Sequence, residues 1–115
     1  MQRPHSKNNP GPTKAERDFQ GWVKQQNCCV TGAWGVHVHH CKGSTFKHNK
    51  VLIGHWFCLP LCPEAHQEYH DGSKPWTVKY GLQSMLCLNL MCRFEQETGN
   101  EVPFYVVESI RSCGK

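Results

Sequence analysis

No two of the eight cysteines in this 115-residue chain are spaced Cys-x-x-Cys. That absence weakens a zinc-finger reading, because a thiolate knuckle normally supplies two ligands from one tight turn. Long hydrophobic runs are missing as well. The longest, "VLIG" and "FCLPLC", fall far short of the ~20 residues a membrane-spanning helix needs, so no membrane partner is expected. The opening "MQRPHSKNNPGPTK" has positive charges with no apolar segment behind them, unlike a secretory signal. The cysteines then read as reduced thiols or metal ligands, not as a disulfide framework, and the expected compartment is the cytoplasm. Neither an internal repeat nor a second domain is visible, and the length suits one domain. Acidic residues are outnumbered, nine against thirteen Lys and Arg, for a net charge of +4. That is a mild preference for polyanions and excludes little.

Histidine, by contrast, is plentiful: eight residues, three of them within "VHVHHCKG" at 36–43. Adjacent histidines make neither a good core face nor a good wet face, so they are weighed as a site. The stretch reads as a strand with Val36, Val38 and His40 on one face and His37, His39 and Cys41 on the other. Some 25 residues on, "CPEAHQEYH" reads as a helix opened by Pro63. Its His66 and His70, at i and i+4, share one helix face. Two such histidines can aim at one ion, and a third ligand from a neighbouring strand would leave a position open for water or substrate, as hydrolysis requires. If His39 faces the ion, His40 starts on the opposite side of the strand. Other readings stay open: satisfied core histidines, or a closed zinc site of Cys62, His66 and His70. His5, His37 and His48 read as incidental, and Cys87 and Cys92 as small core residues.

Along the rest of the chain, residues 1–12 read as a flexible basic arm and 13–115 as one domain. Thr13 and Glu16 form a capping-box pattern ahead of a short amphipathic helix carrying Phe19, Trp22 and Val23. Residues 43–55 read as a loop and "WFCLPLC" as an extended stretch ending near Pro60. A further helix, broken or started around Gly81, would bury Leu82, Met85, Leu86, Leu90 and Phe94. "VPFYVVESI" reads as a final edge strand.

Taken in order, "CCVTG…VHVHHCKG…HWFCLPLCPEAHQEYH…W…YGLQ" resembles the HNH, or ββα-metal, endonucleases, and most closely their phage recombination-enhancement, RecA-dependent branch. The matching pieces are Cys28 or Cys29 with Thr31-Gly32, His39-His40, Pro60-Leu61-Cys62, His66 with His70, and Trp76…Tyr80-Gly81-x-Gln83. They span roughly residues 15–95. The resemblance implies an α+β fold with a small ββα-metal (His-Me finger) core, flanked by an N-terminal and a C-terminal helix.

It also implies roles. His40 would be the general base and His39, His66 and His70 the metal ligands. His55 falls near the family's middle Asn and joins His40 as a catalytic candidate, its part open between loop anchor, ligand and phosphate contact. Cys28, Cys29 and Cys62 are the candidates for a structural Zn2+, with Thr31 where a second knuckle Cys might stand. The implied activity is metal-dependent hydrolysis of DNA with little sequence specificity, using Mg2+ or Mn2+, or Zn2+, at the catalytic site. A RecA filament is the implied partner, in the host cytosol for a phage-encoded protein. Lys42, Lys47 and Lys50, with Arg3, Lys7 and Lys14, are the expected phosphate contacts. Trp34, Trp56 and Trp76 are divided between base stacking and core packing. The rival from another class is a noncatalytic zinc-stabilised DNA-binding or recombination-partner module.

Overall fold

The computed structural model describes residues 11–115 as a mixed α+β protein of five helices and two small two-stranded sheets. Residues 1–10, most of the expected basic arm and with it His5, Arg3 and Lys7, lie outside the described residues. Helix α1, Lys14–Lys24, begins as its capping box dictates. The Thr13 hydroxyl accepts from the Glu16 backbone N–H, and the Glu16 carboxylate accepts from that of Thr13 at 2.7 Å. Its inward residues Phe19 and Val23 are fully buried, with Phe19 stacked edge-on to Phe94.

The central sheet pairs β1, His37–His40, with β4, Cys58–Leu61, antiparallel, so that His39 stands opposite Leu59 and His40 opposite Cys58. The extended stretch runs through Pro60, which pairs with Val38 and whose carbonyl accepts from the Cys29 N–H. An outer strand of a two-stranded ladder tolerates the proline's missing donor. Between these strands, the loop expected over residues 43–55 contains a hairpin, β2 Lys47–His48 with β3 Val51–Leu52. Its two-residue turn places both Asn49 (φ 53°) and Lys50 (φ 65°) in the left-handed region, matching the twist of the flanking strands. Neither residue is glycine, which hid the hairpin from sequence reading.

From β4 the chain enters α2, Pro63–Asp71, directly, then α3, Ser73–Tyr80, and α4, Gln83–Thr98. The break at Gly81 (φ 101°) is where the sequence placed it. Helix α3 is locked to α2 by the buried Trp76, whose indole N–H donates to the Ala65 carbonyl at 3.1 Å. On α4 the expected apolar stripe is half right. Leu90 and Phe94 are buried, but Met85 and Leu82 are exposed, and the helix turns Gln83, Ser84, Cys87 and Met91 inward instead. Cys92, expected in the core, is exposed.

The expected last strand is a helix, α5, Phe104–Cys113. Its β-branched run suggested a strand, yet Val106, Ser109 and Ile110 recur at helical spacing and are buried. The helix docks on α4 and on the hairpin, so packing overrides strand propensity. Trp56 and Trp76 are core residues, whereas Trp34, ahead of β1, is exposed. No helix among the described residues is long and apolar enough to cross a membrane.

Candidate functional site

Strand alternation sorts the paired histidines. His39 turns toward α2 and His40 toward α1, because neighbouring strand residues face opposite ways. On the α2 side the His39 ring lies 5.0 Å from that of His66 and 6.4 Å from that of His70, centroid to centroid. The two helical rings are 4.8 Å apart. Thus His39, His66 and His70, read from two separate segments, gather at one place. The cluster grades from buried His39 through half-buried His66 to exposed His70.

The buried end is anchored. The His39 Nε2–H donates to the Gln83 side-chain carbonyl at 2.9 Å, and Tyr69 packs against the ring at 4.8 Å. With Nε2 carrying the proton, the Nδ1 lone pair is left to bind something else, the usual arrangement for a histidine supported by an outer hydrogen bond. Burial pushes the His39 imidazolium down to about 4, against the opposing Gln83 bond and reinforced by His66 and His70. Burial likewise lowers His66, with His70 and His37 adding to it. Both rings are therefore neutral at pH 7, the form that ligates metals.

The donor set fits a divalent ion in kind: imidazoles and no carboxylate suit Zn2+ and its neighbours better than Mg2+. Its spacing fits less completely. With N–metal bonds of ~2.1 Å, the ring centroids of adjacent ligands sit roughly 5 Å apart. The His39–His66 and His66–His70 separations meet that spacing, and the 6.4 Å between His39 and His70 exceeds it. Among the described residues no three His, Cys, Asp or Glu side chains are disposed to hold an ion as they stand.

On the opposite face of β1, His40 lies 3.4 Å (Nε2 to Nε2) from Gln20 of α1, with its ring 5.9 Å from that of His55. The same Gln20 amide donates to the His55 backbone carbonyl at 2.8 Å, tying α1 to both histidines. Burial, then His55, lowers the His40 imidazolium, so its ring too is neutral and able to take a proton. His55 is buried behind it.

The thiols form a separate group. Cys28 and Cys62 are buried and Cys29 half-buried, and the Thr31 hydroxyl is 3.5 Å from the Cys62 sulfur. Burial pushes Cys28 up, but hydrogen bonds from Thr31 and from the backbone of Cys62, Val30 and Thr31 leave it below its ordinary value. Burial and the neighbouring Cys28 push Cys29 up to about 12. Lys47 and Lys50 are exposed on the hairpin, while Lys42 lines an open groove of about 550 Å³ with Tyr69 and Gln83. His48 sits away from both clusters, 3.1 Å from the Ser112 hydroxyl.

Sequence reading missed Gln20 and left Gln83 without a role; nothing local marks either, since each acts on a strand residue 20 or 44 positions away. It also set His37 aside, although His37-x-His39 shares a strand face by simple alternation.

This small α+β protein with a strand-and-helix histidine cluster belongs to the family described as "Protein of unknown function (DUF968)", which it matches over residues 1–99. It is also 33% identical over 76 residues to the uncharacterized protein YdfU of Escherichia coli (strain K12). That alignment covers 66% of this chain and 21% of YdfU, so the chain spans a small part of the curated relative it matches. No solved structure matches it.

Proposed function

We propose that the chain is a metal-dependent endonuclease of the ββα-metal type, hydrolysing DNA phosphodiester bonds with little sequence readout. The observation that carries this reading is the gathering of the His39, His66 and His70 rings beside a strand–strand–helix unit, β1, β4 and α2. The antiparallel pairing of β1 with β4, and the direct passage of β4 into α2, support that core.

An ion held by His39, His66 and His70 would supply charge neutralisation at a nonbridging phosphate oxygen and at the leaving 3′ oxygen. His40 takes the proton of the attacking water as its oxygen bonds to phosphorus and the bond to the 3′ oxygen breaks. Such positioned proton transfer contributes ~10²–10⁴ in rate. Gln20 positions the His40 ring, and His55 backs it. Gln83 orients His39. Lys42, in the groove next to Gln83, holds the DNA backbone, and Lys47 and Lys50 extend the contact along the hairpin.

The test is nicking of supercoiled plasmid with Mg2+, Mn2+ or Zn2+, with and without RecA filaments, comparing the parent with His40→Ala. Cutting by the parent and its loss in His40→Ala, with metal and DNA affinity retained, is the expected result. Intact plasmid under every condition would overturn the enzyme reading. Zn2+ and DNA binding without cutting would identify a noncatalytic module.

A further inference from the structure

His66 has a second imidazole neighbour that the proposed ligand set does not use. His37, two residues before His39 on β1, shares its face and places its Nδ1 3.4 Å from the Nδ1 of His66. The ring centroids are 5.6 Å apart and tilted by 71°. That nitrogen separation is long for an N–H hydrogen bond, which runs ~2.7–3.2 Å. It matches the edge of a tetrahedral coordination shell: two bonds of ~2.1 Å at the tetrahedral angle put ligand nitrogens roughly 3.4 Å apart. The nitrogens of His37 and His66 thus already stand at chelating distance. His66 is also the hub, with centroids 4.8 Å from His70 and 5.0 Å from His39.

We propose that His37 is a further ligand of the resting ion at this centre, joining His39, His66 and His70 until substrate binds. This rests on the metal-centre reading above and extends it. His37 is exposed, so it is the ligand on the solvent side, the one that gives way when a phosphate oxygen takes the open position hydrolysis needs, while His39 stays on the buried side. Four imidazoles and no carboxylate select Zn2+, Co2+ or Ni2+ over Mg2+.

The experiment is competitive Zn2+ titration together with the visible spectrum of the Co2+-loaded protein. It compares the parent with His37→Ala, His37→Gln, His66→Ala and, as a remote control, His48→Ala. The expected result is that both His37 variants stay folded by circular dichroism and bind Zn2+ more weakly than the parent by over ~100-fold, beyond what loss of a supporting hydrogen bond causes. Their Co2+ bands lose intensity as water replaces an imidazole, and His48→Ala matches the parent. If the His37 variants match the parent in affinity and spectrum while His66→Ala loses both, His37 is no ligand and the metal-centre reading stands without it. If the parent and His66→Ala bind neither ion, the metal-centre reading itself is overturned.

Discussion

Replacing Gln83 with leucine separates the support of the histidine cluster from the cluster itself. Gln83 and His39 are 4% and 5% exposed, and their 2.9 Å hydrogen bond gives the His39 Nε2–H its acceptor. Leucine nearly conserves the volume and removes the acceptor, which strands a buried donor at a cost of about 1–3 kcal/mol. That is a large share of the ~5–15 kcal/mol that holds a domain together. In urea titration the midpoint should fall by roughly 1 M at unchanged slope. Zn2+ affinity should fall ~10–100-fold, because the freed ring loses both its tautomer and its orientation. Gln83→Glu keeps an acceptor in place and should recover most of the affinity. Unfolding of Gln83→Leu at the parental urea concentration, with parental Zn2+ affinity, would refute this account of how the site is held.

Three further outcomes follow from the geometry. Trp76→Ala removes a buried indole that bonds to the Ala65 carbonyl and packs on Tyr69 and Tyr80; equilibrium denaturation should register a loss of about 3–5 kcal/mol. In Gly54→Ala the new methyl would fall on the Ser44 backbone carbonyl and crowd that of Gly43, neither of which is a movable side-chain tip. A cost of ~1–3 kcal/mol should appear as a melting temperature lower by roughly 4–12 °C. For Lys42→Glu, a salt titration of DNA binding should give a log–log slope shallower by about one phosphate contact, and an unchanged slope would remove Lys42 from the interface.

Local chemistry was readable and tertiary context was not. The Thr13–Glu16 box, the Pro63 start of α2 and the break at Gly81 are each set by a few neighbouring residues, and each stands where the sequence put it. The strand–helix pairing of His39 with His66 and His70 was legible because periods of two and of about 3.6 residues fix which side chains share a face. What escaped depends on contacts distant in sequence. "VPFYVVESI" has the composition of a strand, and only docking on α4 and the hairpin makes it helical. Met85 and Leu82 extend an apolar pattern along α4, but the residues against the core are Cys87, Leu90, Met91 and Phe94. Gln20 and Gln83 carry no motif of their own; they matter because α1 and α4 bring them to His40 and His39 from either side of β1.

The most direct measurement is an anomalous-scattering map from crystals of the protein grown with Zn2+. The account predicts one strong peak within ~2.1 Å of a ring nitrogen from each of His39, His66 and His70. A map with the three rings well ordered and no peak among them, or with the zinc held only by the thiols of Cys28 and Cys62, would contradict it.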